Sequence, residues 1–357
     1  MTELSRWHTW REIHAQPDIW RGFADELASQ AREIAGWINR RGIDEVWLCG
    51  AGTSAFIGQI LAAEMTNGPR LVAVATTDYV AAPTTIRPTG KRLLVVQFGR
   101  SGDSSETVGM LDLMDQLLPE ADRLHITCNA DSALATRAAP GPGEQRVLVL
   151  PEATHDRAFA MTSSFSTMLL SAAAILGHGS VPAQIATLAT ELESILGRAA
   201  KLDQPRPERA IFLGSGALTG AARECALKVL ELTAGQTMTQ WDSTLGFRHG
   251  PKAAITPGSD IYVLLHPDHH TARYDADIAA EIRRQFPDNR VLTIGPAGDI
   301  SIAGTGVAAV DAVLYVGVAQ VLATRWSDSL GLNVDNPFAG GALSRVVSGV
   351  KLYALAR

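Results

Sequence analysis

The stretch "DEVWLCGAGTSAFIGQILAAEM", Asp44 to Met65, runs from an apolar segment through Gly50-Ala51-Gly52 into a helix-forming segment rich in small residues. It returns as "ERAIFLGSGALTGAARECALKVLEL", Glu208 to Leu232, with 164 positions separating Gly50 from Gly214. Each copy reads as a strand, a tight glycine turn and a helix, the opening unit of a parallel α/β sheet. Two such copies in a chain of 357 residues predict two related domains.

Further apolar runs surround each copy. "RLVAVAT", "RLLVVQF", "RLHITC" and "RVLVL" follow the first, and "DIYVLLHP", "NRVLTIG" and "VAAVDAV" follow the second. Each ends in a polar or glycine turn, and this alternation predicts doubly wound parallel sheets with helices on both faces. Ahead of them, Trp20, Phe23, Leu27, Ile34, Trp37 and Ile38 recur at helical spacing, so a leading helix is expected over Thr9–Arg41, broken early by Pro17. A last helix is expected around Ala312 to Gly331, then an irregular tail. Pro205 and Pro207 in "KLDQPRPERA" mark a linker. The expected division is a helical segment at 1–40, a first domain at 41–200 and a second at 201–357.

Composition narrows the function. Hydrophobic residues make up 46% and the net charge is −6, so no basic field gathers nucleic-acid phosphates. No apolar window approaches a membrane span, and the polar N-terminus lacks the core of a signal peptide. Cys49, Cys128 and Cys225 are isolated, which argues against a disulfide framework or a CxxC metal site. A soluble cytoplasmic protein is expected, with no nucleic-acid or membrane partner.

Gly50, Gly52 and Ala55 fit G-x-G-x-x-[G/A], a weak sign of a dinucleotide fold; Asp78, 26 residues beyond Gly52, is late for a ribose acid. "GRSGDSSET", Gly99 to Thr107, discriminates better. Arg100, Ser101, Ser104 and Thr107 stand where a strand hands over to a helix, and unpaired N–H groups with nearby hydroxyls suit a compact phosphate monoester. The alternative is that the hydroxyls only cap the helix. Thr53 and Ser54, at the end of the neighbouring strand, favour one shared anion site. "AMTSSFSTMLL", Ala160 to Leu170, offers Thr162, Ser163 or Ser164 to the same pocket, or else caps a core helix.

In the second copy, Glu224, Lys228 and Glu231 fall at i, i+4 and i+7 on one helical face. A solvated salt-bridged stripe would read the same, but the flanking residues are small or apolar and favour a cleft. His249, in "FRHGP", lies on a turn and suits proton transfer near neutral pH. "HPDHH", His266 to His270, reads as a surface loop after a strand, with no metal site expected.

Together these residues resemble the sugar isomerase (SIS) domain proteins, in particular the isomerase half of glucosamine-6-phosphate synthase and the tagatose-6-phosphate ketose/aldose isomerase group, also described as galactosamine-6-phosphate deaminases. The resemblance covers nearly the whole chain and rests on "REIHAQP", "CGAGTSAFIG", "GRSGDSSET", "ECALKVLELT" and "FRHGP" in that order. It implies an α/β fold of two tandem doubly wound, flavodoxin-like domains with a leading helix and a C-terminal arm. It also implies that Glu231 is the base moving a proton between C1 and C2, with Glu224 and Lys228 as supporting polar residues. His249 assists ring opening, often from a neighbouring subunit. Thr53, Ser54, Ser101 and Ser104 fall on phosphate- or sugar-binding positions, and Arg345 falls where the synthase arm carries a lysine.

The sequence departs from the pattern at Gly99, where a serine is common, and at Asp103; Arg100 or Thr162 is the candidate to replace the missing hydroxyl. No glutaminase half with its catalytic cysteine follows Met1, so net amino-sugar synthesis is not expected. The expected reaction is isomerisation with deamination of galactosamine 6-phosphate to tagatose 6-phosphate and ammonia, without metal or organic cofactor, by a homodimer or higher homo-oligomer. The alternatives are simple aldose–ketose isomerisation, fructosamine-phosphate deglycation and a non-catalytic sugar-phosphate sensor.

Overall fold

The computed structural model describes residues 3–64, 68–177, 179–341 and 343–355. The chain opens with helix α1, His8–Arg41, which continues through Pro17. Proline removes the N–H that would bond the carbonyl four residues back and usually breaks a helix there. Here the neighbouring Gln16 replaces the lost donor: its Nε2 donates to Ile13 O at 3.0 Å. The expected break is therefore absent, because "QP" carries its own repair.

Contacts divide the chain into two compact units. The first-sheet unit comprises Phe23–His155, Ser163–Pro182 and Ser344–Arg357. Its strands are β1 (Glu45–Gly50), β2 (Arg70–Ala75), β3 (Leu93–Gly99), β4 (Asp122–Thr127) and β5 (Gln145–Val149). They are all parallel, in the order β2-β1-β3-β4-β5. Cys49 lies opposite Gln97 across β1 and β3. Helices α2 (Thr53–Ala62), α3 (Thr76–Ala81), α4 (Ser105–Leu117), α5 (Ala133–Thr136) and α6 (Ser163–Leu176) complete it. Trp47, Cys49, Val74, Tyr79, Val95, Met110 and Met114 form the core on one face.

The second-sheet unit comprises Met1–Gly22, Asp156–Thr162 and Ala183–Leu343. Most of α7 (Val181–Ala199) lies in it, followed by β6 (Arg209–Gly214), α8 (Ala217–Leu232), β7 (Met238–Asp242), β8 (Ser259–Leu264), α9 (His269–Gln285), β9 (Arg290–Gly295), β10 (Ile300–Ser301) and α10 (Ala308–Ser329). Its sheet is also parallel, ordered β10-β9-β8-β6-β7. Read from the other edge this is the order of the first sheet, so β1 and β6 hold equivalent places, each beside a strand-order reversal. The α/β reading with two doubly wound sheets and a leading helix holds.

The glycine turns explain why the repeat is visible. Gly52 and Gly216 have φ 55° and 57°, a region that strains any side chain. A Cβ on Gly50 or Gly214 would lie 2.5 Å from the backbone of Ser54 or Leu218. Both positions of both copies therefore require glycine.

Other expectations change as well. "VAAVDAV" is not a strand: all but Val307 belongs to α10, which starts at Ala308 and ends at Ser329. Its residues are buried on every side, which removes the helical periodicity that would have identified it. The polar edge strand β7, "MTQWD", was not foreseen. α10 is also long and apolar enough, by length and composition, to cross a membrane, contrary to the sequence reading; 94% of its apolar window is buried in the structure.

Candidate active site

The hydroxyl loops lie in the first-sheet unit, at the carboxyl ends of β1 and β3, where the strand order reverses. Such switch points are where ligands enter doubly wound folds. α2 starts directly after the glycine turn, with no side chain capping it. Thr53 and Ser54, its first residues, are buried.

After β3, Ser104 is the N-cap of α4: its Oγ accepts from Thr107 N at 3.2 Å and lies 2.9 Å from Thr107 Oγ1. Ser104 thus serves as a cap whatever else it does. The loop ahead of it is braced by the segment after β4. Asn129 Nδ2 donates to Ser101 O at 3.0 Å, and Ala133 N donates to Asp103 Oδ1 at 2.7 Å. The aspartate that departs from the family pattern therefore holds the loop to the start of α5. Gly99 has a packing reason as well, since a Cβ there would lie 3.1 Å from Leu134 Cδ2 and 3.3 Å from Gly102 Cα.

Arg100 is buried, and its guanidinium donates to the backbone carbonyl of Arg345 at 3.1 Å. The tail continues over the start of α4. Ser105 N donates to Val347 O at 3.1 Å, and Val350 N donates to Ser105 Oγ at 3.2 Å. Ser105 stands in the hydroxyl cluster, but its role is not legible in the sequence, because its use depends on residues some 240 positions away.

Thr162 belongs to the second-sheet unit and is fully buried. Its N–H and hydroxyl both donate to Asp156, at 2.8 and 2.7 Å. With its proton committed there, Thr162 does not supply the hydroxyl that Gly99 lacks, and of the two candidates Arg100 is the one that stands in the loop. Asp156, which carried no signal in the sequence, is the residue that holds Thr162.

The charged face of α8 points inward. Glu224 and Lys228 are 0% exposed, and the Glu231 side chain is 23% exposed. Lys228 Nζ lies 3.3 Å from Glu224 Oε1 and 2.7 Å from Glu231 Oε2. A solvated stripe is therefore excluded for Glu224 and Lys228. A buried ammonium joins two carboxylates, and Glu231 keeps part of its surface open. Two carboxylates so placed would repel one another without the lysine between them.

His249 lies in the same unit as α8, directly after the short helix Gly246–Arg248, and is exposed. Fully buried Phe247 anchors the turn on one side. On the other, Arg248 Nε pairs with Glu281 Oε2 at 2.7 Å, and Lys252 pairs with the same carboxylate. A rigid turn thus presents an outward imidazole. "HPDHH" is only partly a loop: His269 and His270 open α9, and Asp268 caps it.

Comparison with known proteins gives the family. The SIS domain description matches residues 42–176. The chain is 41% identical to a Streptomyces coelicolor protein, spanning 98% of this chain and 96% of that one. It is 37% identical to the D-galactosamine-6-phosphate deaminase AgaS of Escherichia coli, over 97% of this chain and 96% of the relative. The chain belongs to the AgaS family of SIS-domain proteins. Among solved structures, it is similar to tagatose-6-phosphate ketose/aldose isomerase from Escherichia coli, with a TM-score of 0.86 and 33% identity, covering 100% of this chain and 99% of that one.

Proposed function

We propose that the protein converts galactosamine 6-phosphate and water to tagatose 6-phosphate and ammonia. The observation that carries this reading is the inward-facing Glu224–Lys228–Glu231 set, in which two members are sealed and Glu231 remains partly accessible. Family relatives named for this deamination support it.

In this reading Thr53, Ser54, Ser101 and Ser104 hold the phosphate, with Arg100 adding charge and the arm around Arg345 closing over the sugar. His249 passes a proton to the ring oxygen as the ring opens. Glu231 removes the proton from C2, giving an enolamine, and returns it to C1, leaving a ketimine at C2. Water adds to the C=N carbon, the C–N bond breaks, and ammonia leaves behind the ketose. Lys228 holds Glu231 in one orientation, and Glu224 holds Lys228. The exposure of His249 supports its acting in a neighbouring copy, which makes a homodimer the smallest active assembly. Three buried free cysteines support a reducing, cytoplasmic setting.

The test is Glu231→Gln, which keeps shape and removes the base. Ammonia release from galactosamine 6-phosphate should fall by about 10²–10⁴-fold, the usual share of a positioned general base. Sugar-phosphate binding should hardly change. Near-normal turnover by this variant would remove Glu231 from the chemistry. Simple isomerisation shares the same proton transfer and is favoured by the likeness to a tagatose-6-phosphate isomerase. Assaying ketose and ammonia side by side separates the two, since only deamination yields them in equal amounts from the amino sugar.

A further inference from the structure

The duplication extends beyond the glycine turns. The 164 positions between Gly50 and Gly214 also separate Ser104 from Asp268, Thr107 from Thr271 and Leu111 from Asp275. The structure keeps this frame at the glycine turns and the helix caps, while β8 matches β3 at 166 positions and the loop after it is two residues shorter. Ser104 caps α4 through Thr107 N at 3.2 Å, and Asp268 caps α9 through Thr271 N at 2.9 Å. Gly52 and Gly216 share one backbone conformation, with ψ −129° and −127°. β6 and β8 take the places of β1 and β3 in their sheet. The second-sheet unit therefore repeats the glycine turn and the helix cap of the anion cradle, on a shorter loop.

Its chemistry differs. In place of buried Leu111 stands Asp275, also fully buried. Asp275 Oδ1 accepts the Ser215 hydroxyl at 2.6 Å, and Oδ2 accepts His266 N–H at 2.9 Å. Thr244 Oγ1 lies 2.6 Å from Ser215 Oγ and completes the chain of hydroxyls. Ser215 sits in the glycine turn after β6, Thr244 follows β7 and His266 follows β8, so donors from three strand ends converge on one carboxylate. Burial raises the Asp275 carboxyl above its ordinary range, and the bonds from Ser215, His266 and Thr244 oppose that rise. By sheet register Leu264 and Leu265 fall on Phe98 and Gly99, and only His266 and Pro267 stand between Leu265 and the cap, where the first unit has Arg100 to Asp103. The capping hydroxyl has become the carboxylate of Asp268.

We infer that Asp275 is a built-in anion filling the second copy of the phosphate cradle, so that each chain retains a single phosphate site, in the first-sheet unit. This rests on the reading that the Thr53 and Ser101 loops bind phosphate, and deepens it. A phosphate arriving at the second frame meets two carboxylates and finds the Ser215 hydroxyl and His266 N–H already given.

The experiment counts inorganic phosphate bound per full-length chain by equilibrium dialysis. The wild type should bind one, and Asp268→Ser/Asp275→Asn should bind two. If the double variant fails to fold, Asp268→Ser exchanges one good cap for another at an exposed position. Phosphate should then protect residues 264–275 from hydrogen exchange at concentrations lower by on the order of tenfold than in the wild type, as expected for loss of one nearby like charge. Two phosphates in the wild type, a folded double variant that binds no more phosphate than the wild type, or unchanged protection in Asp268→Ser would each overturn the inference. A wild type binding none, beside a double variant binding one at α9, would keep the inference and refute the phosphate reading of the first unit.

Discussion

At the scale of single residues, Lys228 carries more than its neighbours suggest. It is fully buried between Glu224 Oε1 and Glu231 Oε2, and the sealed Glu224 carboxylate gains no compensating water when it is removed. Lys228→Met should destabilise the second-sheet unit by about 3–5 kcal/mol, the cost of breaking a buried pair from one side. Glu224→Gln added to it should restore part of that loss by removing one uncompensated charge. Urea unfolding of the two variants measures both, and equal stability of Lys228→Met and wild type would show that the set is solvated. The spacing at 224, 228 and 231 already placed the three on one face, and small flanking residues gave its inward direction. Gln16 was not readable in the same way. That a glutamine before a proline keeps the helix whole depends on where one side-chain amide points, which no periodicity encodes.

At the scale of elements, legibility followed burial on one side. β1, β3 and α4 announce themselves because strand, turn and helix each carry a distinct local pattern. α10 hid its helical period because all its faces are buried, and β7 hid as a strand because its edge position tolerates threonine, glutamine and an exposed tryptophan. Residues 345–355 have no regular secondary structure, yet they are seated on α4 by the Ser105 bonds and by Leu352. A Cβ on Gly109 would come within 2.4 Å of Leu352 Cδ1, so a glycine in mid-helix makes room for the tail. Gly109→Ala should gain the helix up to about 1 kcal/mol of propensity while loosening the arm. Trypsin should then cut after exposed Lys351 several-fold faster than in the wild type, by about the factor of 5 that a loss near 1 kcal/mol of docking gives. Unchanged cleavage would mean that Leu352 shifts aside without releasing the arm.

At the scale of the molecule, the two units respond to acid through different groups. His125, on β4 in the first-sheet unit, is fully buried, with its Nδ1 2.6 Å from Leu134 O. Burial lowers its pKa from 6.5 to about 4, and Arg123 adds to the effect. The unfolded chain therefore takes up a proton that the folded unit refuses. This contribution is fully present above pH 6.5 and is lost as pH falls towards 4, about 3 kcal/mol in all. Glu12, in the second-sheet unit, is raised from 4.5 to about 7 by burial and then by the Asp156 charge, with Asp335 adding to it. Its sign is opposite: the folded unit holds the proton, so stability is greatest below pH 4.5 and is lost as pH rises through 7. Buried Asp260 and Asp275 are shifted in the same direction as Glu12, and His14, lowered by burial, works against them. Acidification from pH 7.5 to 5 should thus weaken hydrogen-exchange protection across β3 and β4, after correction for intrinsic rates, and His125→Leu should abolish that response. In the second-sheet unit, Glu12→Gln should lose protection across α10 on acidification that the wild type keeps, because His14 is then left with less opposition. Equal pH responses of wild type and both variants would show that neither buried group sets the stability of its unit.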